Sequence, residues 1–279
     1  EPQYWTPTEV LGPAWEGFKR HAGLLIAGFF LMGLVMAPIL YAPVILMLTQ
    51  AVSPNSVEFH GVNLGAQFAN LIVSSYFTVG FARICATIAK GEQPSFGMLF
   101  AGRGYFAFLG FQFLLSLPGY VGHGINIASA ALEMPALAMV SMLWNLLILV
   151  PLVFAWLVWS QVLYLVSDKK MGLFEAMRTS AAITRGQRAQ IFLAGLLGGL
   201  ILLGGIMACG VGSIVAGPVF LLMLGVIYAR LSGQDPAGMP IGMTQGSGYA
   251  TYPSGPAGYG HPGHGYGNPP PPAGGYGGG

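Results

Sequence analysis

Residues 136–166 read ALAMVSMLWNLLILVPLVFAWLVWSQVLYLV, a stretch without a single Asp, Glu, Lys, Arg or His. A helix needs about 20 predominantly apolar residues to cross the hydrocarbon core of a bilayer. This stretch exceeds that length, so it predicts a span that tilts or runs on into the interface. The rest of the chain is of the same kind. Of its 279 residues 54% are hydrophobic and 7% charged, against roughly 25% charged residues in ordinary soluble domains. Lipid is therefore the expected solvent for most of the fold.

Scanning outward finds five more windows of that length, which gives six candidate spans at 23–48, 64–88, 104–123, 136–166, 189–210 and 213–231. The last two are joined by a short turn around Gly210 and Gly212. The chain opens on Glu1, and its first apolar stretch, 23–49, is longer than the roughly 7–15 residues of a signal-peptide core. It is expected to persist as a span.

Charge placement tests this reading independently of hydropathy, because Lys and Arg collect in cytoplasmic segments. Six spans put all 11 basic residues on one side: Lys19, Arg20, Arg83, Lys90, Arg103, Lys169, Lys170, Arg178, Arg185, Arg188 and Arg230. The opposite loops hold no Lys or Arg, only Glu58 and Glu133. The expectation is a multi-pass protein of the cytoplasmic (inner) membrane with both termini cytoplasmic. A net charge of +2 offers no bulk attraction for nucleic acid.

Three amphipathic segments precede the odd-numbered spans. Over 8–20, Val10, Leu11, Ala14, Trp15 and Phe18 share a face against Glu9, Glu16 and Arg20. Over 95–106 the face is Phe96, Leu99, Phe100 and Phe106, with Arg103 opposite. Over 172–185 it is Leu173, Phe174, Met177 and Ala181, against Glu175, Arg178 and Arg185. Such helices lie in the membrane interface, aromatic side down and basic side toward headgroups. The first ten basic residues named above are thus candidate lipid-headgroup contacts. The pattern reads as three tandem units of interfacial helix and hairpin, 7–93, 94–170 and 171–233, a plan found in transporters and equally reached by simple duplication of any bundle.

The closing unit carries a family likeness. Residues 176–180, Arg185-Gly186-Gln187, Gly210-Val211-Gly212, Pro218 and Tyr228-Ala229-Arg230-Leu231-Ser232-Gly233 resemble bacterial six-span proteins of the glycerophosphodiester phosphodiesterase membrane-domain and YciC-like type. There the closing hairpin runs approximately Gly-x-Gly, then Pro, then Tyr-Arg. This chain departs in placing Ala229 between Tyr228 and Arg230. The likeness covers mainly 171–233 and implies a membrane location and a six-span fold without specifying an activity. The soluble phosphodiesterase domain of some members is not among these 279 residues.

Within the spans, Ala194 with Gly198 and Gly195 with Gly199 stand at i, i+4, where small residues let helices approach closely. Two uses fit that stripe: packing on the neighbouring span, or a homo-oligomer contact. Arg83 has two readings as well, snorkelling to headgroups or holding a lipid phosphate or substrate. Gln112, Asn145 and Gln161 read as interhelical hydrogen-bonding residues. Cys85 and Cys209 fall toward opposite membrane faces, beyond the roughly 4.4–6.8 Å of a disulfide, and read as packing residues.

Other signals are missing. No Asp or Glu falls inside a span, with Asp168 read as a loop residue, which disfavours ion-coupled transport. No phosphate-binding loop, zinc-protease helix or nucleophile elbow is present, so no catalytic, cofactor-binding or metal-ligating residue and no cofactor is assigned. His261 and His264 could share an adventitious ion in the tail. That tail, 234–279, is Gly-, Pro- and Tyr-rich and expected to be disordered. Tyr249, Tyr252, Tyr259, Tyr266 and Tyr276 recur between glycines, and Pro269 to Pro272 favour polyproline II. The expected partners are membrane lipids and, through the tail, soluble proteins, with an oligomer open. The expected role is a non-catalytic scaffold or envelope factor, the alternative a passive channel or carrier of small solutes or lipids.

Overall fold

The computed structural model describes residues 5–54, 56–169, 171–207 and 212–233. The tail, Lys170, Cys209 and the Gly210-Val211 pair lie outside the described residues. Among the described residues the protein is all helical, and six helices are long and apolar enough to cross a membrane.

The first helix, α1, is Pro7–Leu48. At about 1.5 Å per residue its 42 residues run roughly twice the depth of a hydrocarbon core of about 30 Å. Part of it must therefore lie outside the core. His21 (φ −123°, ψ 22°) leaves the helical region and separates the amphipathic segment, nearly four turns long, from the apolar span. Helix α2, Val57–Ala89, begins on Ser56, whose hydroxyl accepts from the Phe59 N–H at 3.2 Å. That cap satisfies one of the N–H groups a helix start leaves open.

The sequence predicts a second amphipathic helix over 95–106, but the structure holds only a 3₁₀ turn, Phe96–Phe100. Gly97, Gly102 and Gly104 explain the difference, since each costs a helix about 1 kcal/mol relative to Ala. Gly104 adopts φ 83°, a conformation that ends helical winding. The turn is pressed onto α2 at Gly80, where a Cβ would lie 2.2 Å from the Leu99 carbonyl oxygen. Replacing Gly80 with Ala must push this turn off α2, and overpacking of this kind costs about 1–3 kcal/mol. Thermal unfolding in detergent should show the loss, whereas Gly61→Ala, inside the same helix with no neighbour within 4 Å, should show no loss and a gain of up to about 1 kcal/mol.

Helix α3 is Tyr105–Ala131 and α4 is Pro135–Trp159. The expected fourth span does not continue unbroken to residue 166: it breaks at Ser160-Gln161 and resumes as α5, Val162–Lys169. The surface helix α6, Leu173–Ile183, stabilises the break. Its Ser180 hydroxyl donates to the Val158 carbonyl at 3.0 Å and accepts from the Gln161 N–H at 3.3 Å, while Thr184 donates to Val158 at 3.2 Å. Backbone groups freed inside a membrane protein need such internal partners. Helices α7, Arg188–Met207, and α8, Ser213–Leu231, complete the bundle.

Helices α2 and α8 form the centre, with 61% and 67% of their most apolar windows buried, against 6–17% for the other four spans. Around them, α1 lies against both, α3 and α5 against α2, and α7 against α8. The two central helices approach at Gly225, where a Cβ would sit 3.3 Å from the Cys85 carbonyl oxygen. Cys85 itself is fully buried, as a packing residue should be. In contrast α4 shows its side chains outward: Leu143, Leu147 and Val150 are 64%, 70% and 74% exposed. Exposed apolar area on that scale is what a lipid-facing helix presents.

Candidate functional site

The polar side chains of the bundle gather where the inner helices end. Arg83, in the last two turns of α2, makes four hydrogen bonds. Its Nε and Nη2 donate to the Ser167 carbonyl at 3.2 and 3.1 Å, Nη1 to Ala101 at 2.9 Å and Nη2 also to Arg103 at 2.9 Å. A planar guanidinium suits this task because its donors are fixed in a fork. The carbonyls come from α5 and from the link between the 3₁₀ turn and α3. Arg83 therefore joins three segments of the protein, a use that neither sequence reading of it included.

About two turns further on, Lys90 pairs with Asp168, and the other carboxylate oxygen of Asp168 accepts from the Tyr228 hydroxyl at 2.7 Å. Asp168 is not a loop residue. It lies in the last turn of α5, with its side chain 21% exposed and that of Lys90 17%. Tyr228 stacks on Tyr164 with ring centroids 5.6 Å apart, and the Tyr164 hydroxyl donates to the Leu221 carbonyl at 2.6 Å. The node thus ties α2, α5 and α8. A fourth tie closes the ring: Arg230 Nη1 lies 3.6 Å from Glu9 Oε2, and Nη2 donates to the Glu9 carbonyl at 3.1 Å. The start of α1 is held to the end of α8.

The remaining basic residues divide differently. Lys19 pairs with Glu16 at 2.7 Å, both about half exposed, and Arg188 lies over the Phe154 ring at 5.4 Å. Arg20, Arg103, Lys169, Arg178 and Arg185 are exposed, and no carboxylate among the described residues pairs with them. Three of these share a local setting. Arg20 precedes the non-helical His21, Arg103 precedes Gly104 at φ 83°, and Arg185 precedes Gly186 at φ 86°. Each stands where a surface segment turns into a span.

The small-residue stripe of α7 splits between neighbours. A Cβ on Gly198 would come within 2.2 Å of the Phe220 ring of α8, and one on Gly195 within 2.5 Å of Trp156 of α4. Ala194 is buried, whereas Gly199 is exposed with nothing within 4 Å. Three of the four positions are thus occupied by contacts within the chain. Gln161 is fully buried; its Nε2 donates to the neighbouring Ser160 hydroxyl at 3.2 Å, and its Oε1 has no partner among the described residues.

Sequence reasoning missed Asp168, Tyr164 and Tyr228 as a unit. The available signal was an acid beside Lys169 and Lys170 at the end of an expected span. Only the folded arrangement brings Lys90 and Tyr228 to it, from 78 and 60 residues away. Chemically the assembly positions helix ends, its donors and acceptors engaging one another across α2, α5 and α8.

A helical bundle with six apolar helices and its ion pairs at the helix ends defines the class: this is a multi-pass integral membrane protein. Comparison with protein-family models, curated proteins and solved structures finds no match.

Proposed function

We propose that the protein is a non-catalytic scaffold of the bacterial inner membrane, with both termini cytoplasmic, which engages anionic lipid headgroups and recruits soluble partners through its tail. The observation that carries this reading is the division of its cations. Arg83, Lys90 and Arg230 are taken up by carbonyls and carboxylates of the bundle, while Arg20, Arg103 and Arg185 remain exposed at the three surface-to-span junctions. Cations so placed near an anionic leaflet contribute about 1 kcal/mol each. The same threefold placement supports a tandem-repeat origin and the kinship with the YciC-like six-span type; its differing second unit, a 3₁₀ turn, marks divergence.

The test is reconstitution in vesicles of mixed phosphatidylglycerol and phosphatidylcholine. The lipids retained in the protein's shell should be enriched in phosphatidylglycerol. Changing Arg20, Arg103 and Arg185 together to Gln should cut that enrichment about tenfold, within the few kcal/mol that three interfacial cations supply. Unchanged enrichment would count against headgroup engagement. A second arm measures solute flux through the same vesicles: a solute-dependent leak would favour the passive channel or carrier. For the tail, pull-down from native membranes with the full chain and with one ending at Gly233 should differ in soluble partners, and identical sets would remove the recruiting role.

A further inference from the structure

Three glycines of α1, Gly12, Gly23 and Gly33, have nothing within 4 Å of where a Cβ would lie, and one of them borders a cavity. Gly12 sits inside the helix, where Gly is less favourable than Ala, yet nothing lies within 4 Å of where its Cβ would be. Two other glycines of this helix have close neighbours. A Cβ on Gly17 would lie 2.9 Å from Ile88, and one on Gly28 3.4 Å from Phe81. Gly12 instead lines a cavity of about 680 Å³ between the first segment of α1 and the α7–α8 hairpin.

The walls are apolar. Leu11 and Trp15 of α1 face Ile201 of α7 and Val215 and Val219 of α8, and Thr8 supplies the one hydroxyl. The volume falls within the roughly 300–1,000 Å³ of small-ligand sites. Two walls belong to the apolar helices α7 and α8, and the third is the amphipathic segment of α1 before His21. The tie between Glu9 and Arg230 holds the α1 wall in place over it.

Lys19 lies beyond the lining residues, one helical turn past Trp15. Positions 8, 12, 15 and 19 follow at intervals of four, three and four, which puts them on one face of a helix. Lys19 is thus on the groove side, one turn beyond Trp15 and next to the break at His21. Its pair with Glu16 is half exposed and weakened by solvent, so it can yield to a phosphate.

We infer that this groove holds an acyl chain of an anionic phospholipid, with its phosphate on Lys19. The apolar walls match the chain and the ammonium group matches the headgroup charge, which is why one lipid answers both. The site deepens the lipid-engaging role proposed above and rests on it. It differs in being a single defined position, where the junction arginines act on the surrounding leaflet.

The test uses the full chain in nanodiscs containing phosphatidylglycerol with a photoactivatable diazirine midway along one acyl chain. Crosslinks should concentrate on the peptides bearing Leu11, Trp15, Val215 and Val219. Gly12→Leu, at a position where a Cβ meets nothing within 4 Å, fills the groove from α1 and should lower that labelling at least fivefold; Val215→Trp fills it from α8 and should do the same. Gly33→Leu, at another glycine of α1 with open surroundings, should leave labelling unchanged. Lys19→Gln should reduce labelling by phosphatidylglycerol about threefold relative to a phosphatidylcholine probe. Equal labelling in the Gly12 and Gly33 variants, or labelling concentrated on the exposed α3–α4 hairpin, overturns the site. So does a crosslink between two copies of the chain across the groove with no lipid attached. If the groove fails while the triple-arginine variant still loses its phosphatidylglycerol enrichment, headgroup engagement stands and only the defined site falls.

Discussion

Replacing Arg83 with Ala should lower the stability of the bundle by about 3 kcal/mol, the largest loss expected from any single cation in the chain. Hydrogen bonds to a charged group contribute about 1.5–3 kcal/mol each, and Arg83 makes four. Their sum overstates the loss, because the side chain is only partly buried and the freed carbonyls of Ala101 and Arg103 can meet water. The Ser167 carbonyl has less access, since Ser167 is 1% exposed. Lys in place of Arg keeps the charge but presents a point donor instead of a fork, and should recover less than half. Denaturant titration in detergent micelles measures both. A loss under 1 kcal/mol for Arg83→Ala would mean that the side chain serves headgroups and not the three segments it touches. The same variant should raise hydrogen exchange in the 3₁₀ turn and in α5, whose attachment depends on it, before it affects α7.

Asp168→Ala is the second large effect, about 2–3 kcal/mol. Removing one partner of a buried ion pair costs about 3–5 kcal/mol because the remaining charge stays desolvated. Here the two side chains are 17% and 21% exposed, so the lower part of that range, discounted for screening, applies. The change also leaves the Tyr228 hydroxyl without its acceptor. The diagnostic is the double variant. Lys90→Met on the wild-type background should be as damaging as Asp168→Ala, yet adding it to Asp168→Ala should cost little more, giving a coupling of about 1–3 kcal/mol. Additive losses would show that the pair is incidental to stability. Tyr228→Phe isolates the hydroxyl, preserves the stack on Tyr164 and should cost about 1 kcal/mol. Because each partner comes from a different inner helix, loosening this node should free the ends of α2, α5 and α8 together, visible as increased labelling of the buried Cys85 thiol.

Such effects were only partly visible in the linear chain. The apolar windows and one-sided basic residues led to six spans, and six apolar helices are present. Both signals are local: hydropathy is a sum over neighbouring residues, and charge segregation depends only on counting crossings. The amphipathic segment of α1 and the surface helix α6 were legible for the same reason. The second amphipathic segment was not, because the pattern of Phe96, Leu99 and Phe100 was read without weighing three glycines and the demand of Gly80 for a close backbone neighbour.

Amino-acid order by itself determined that this protein lives in lipid, how many times its chain can cross, and which residues are available as cations. The tertiary structure decided what those cations do. Arg83 and Arg103 are both arginines close to the same membrane face; one is bound by carbonyls from distant segments and the other is exposed, and no periodicity distinguishes them. It likewise decided that Asp168 meets Lys90 and Tyr228, that the fourth span breaks where Ser180 and Thr184 can reach Val158, and that Gly12 borders an open groove. The physical reason is common to all four. Hydrogen bonds and van der Waals contacts act over a few ångströms, so their partners are chosen by the packing of helices separated along the chain, whereas the transfer of an apolar segment into lipid is set by that segment alone.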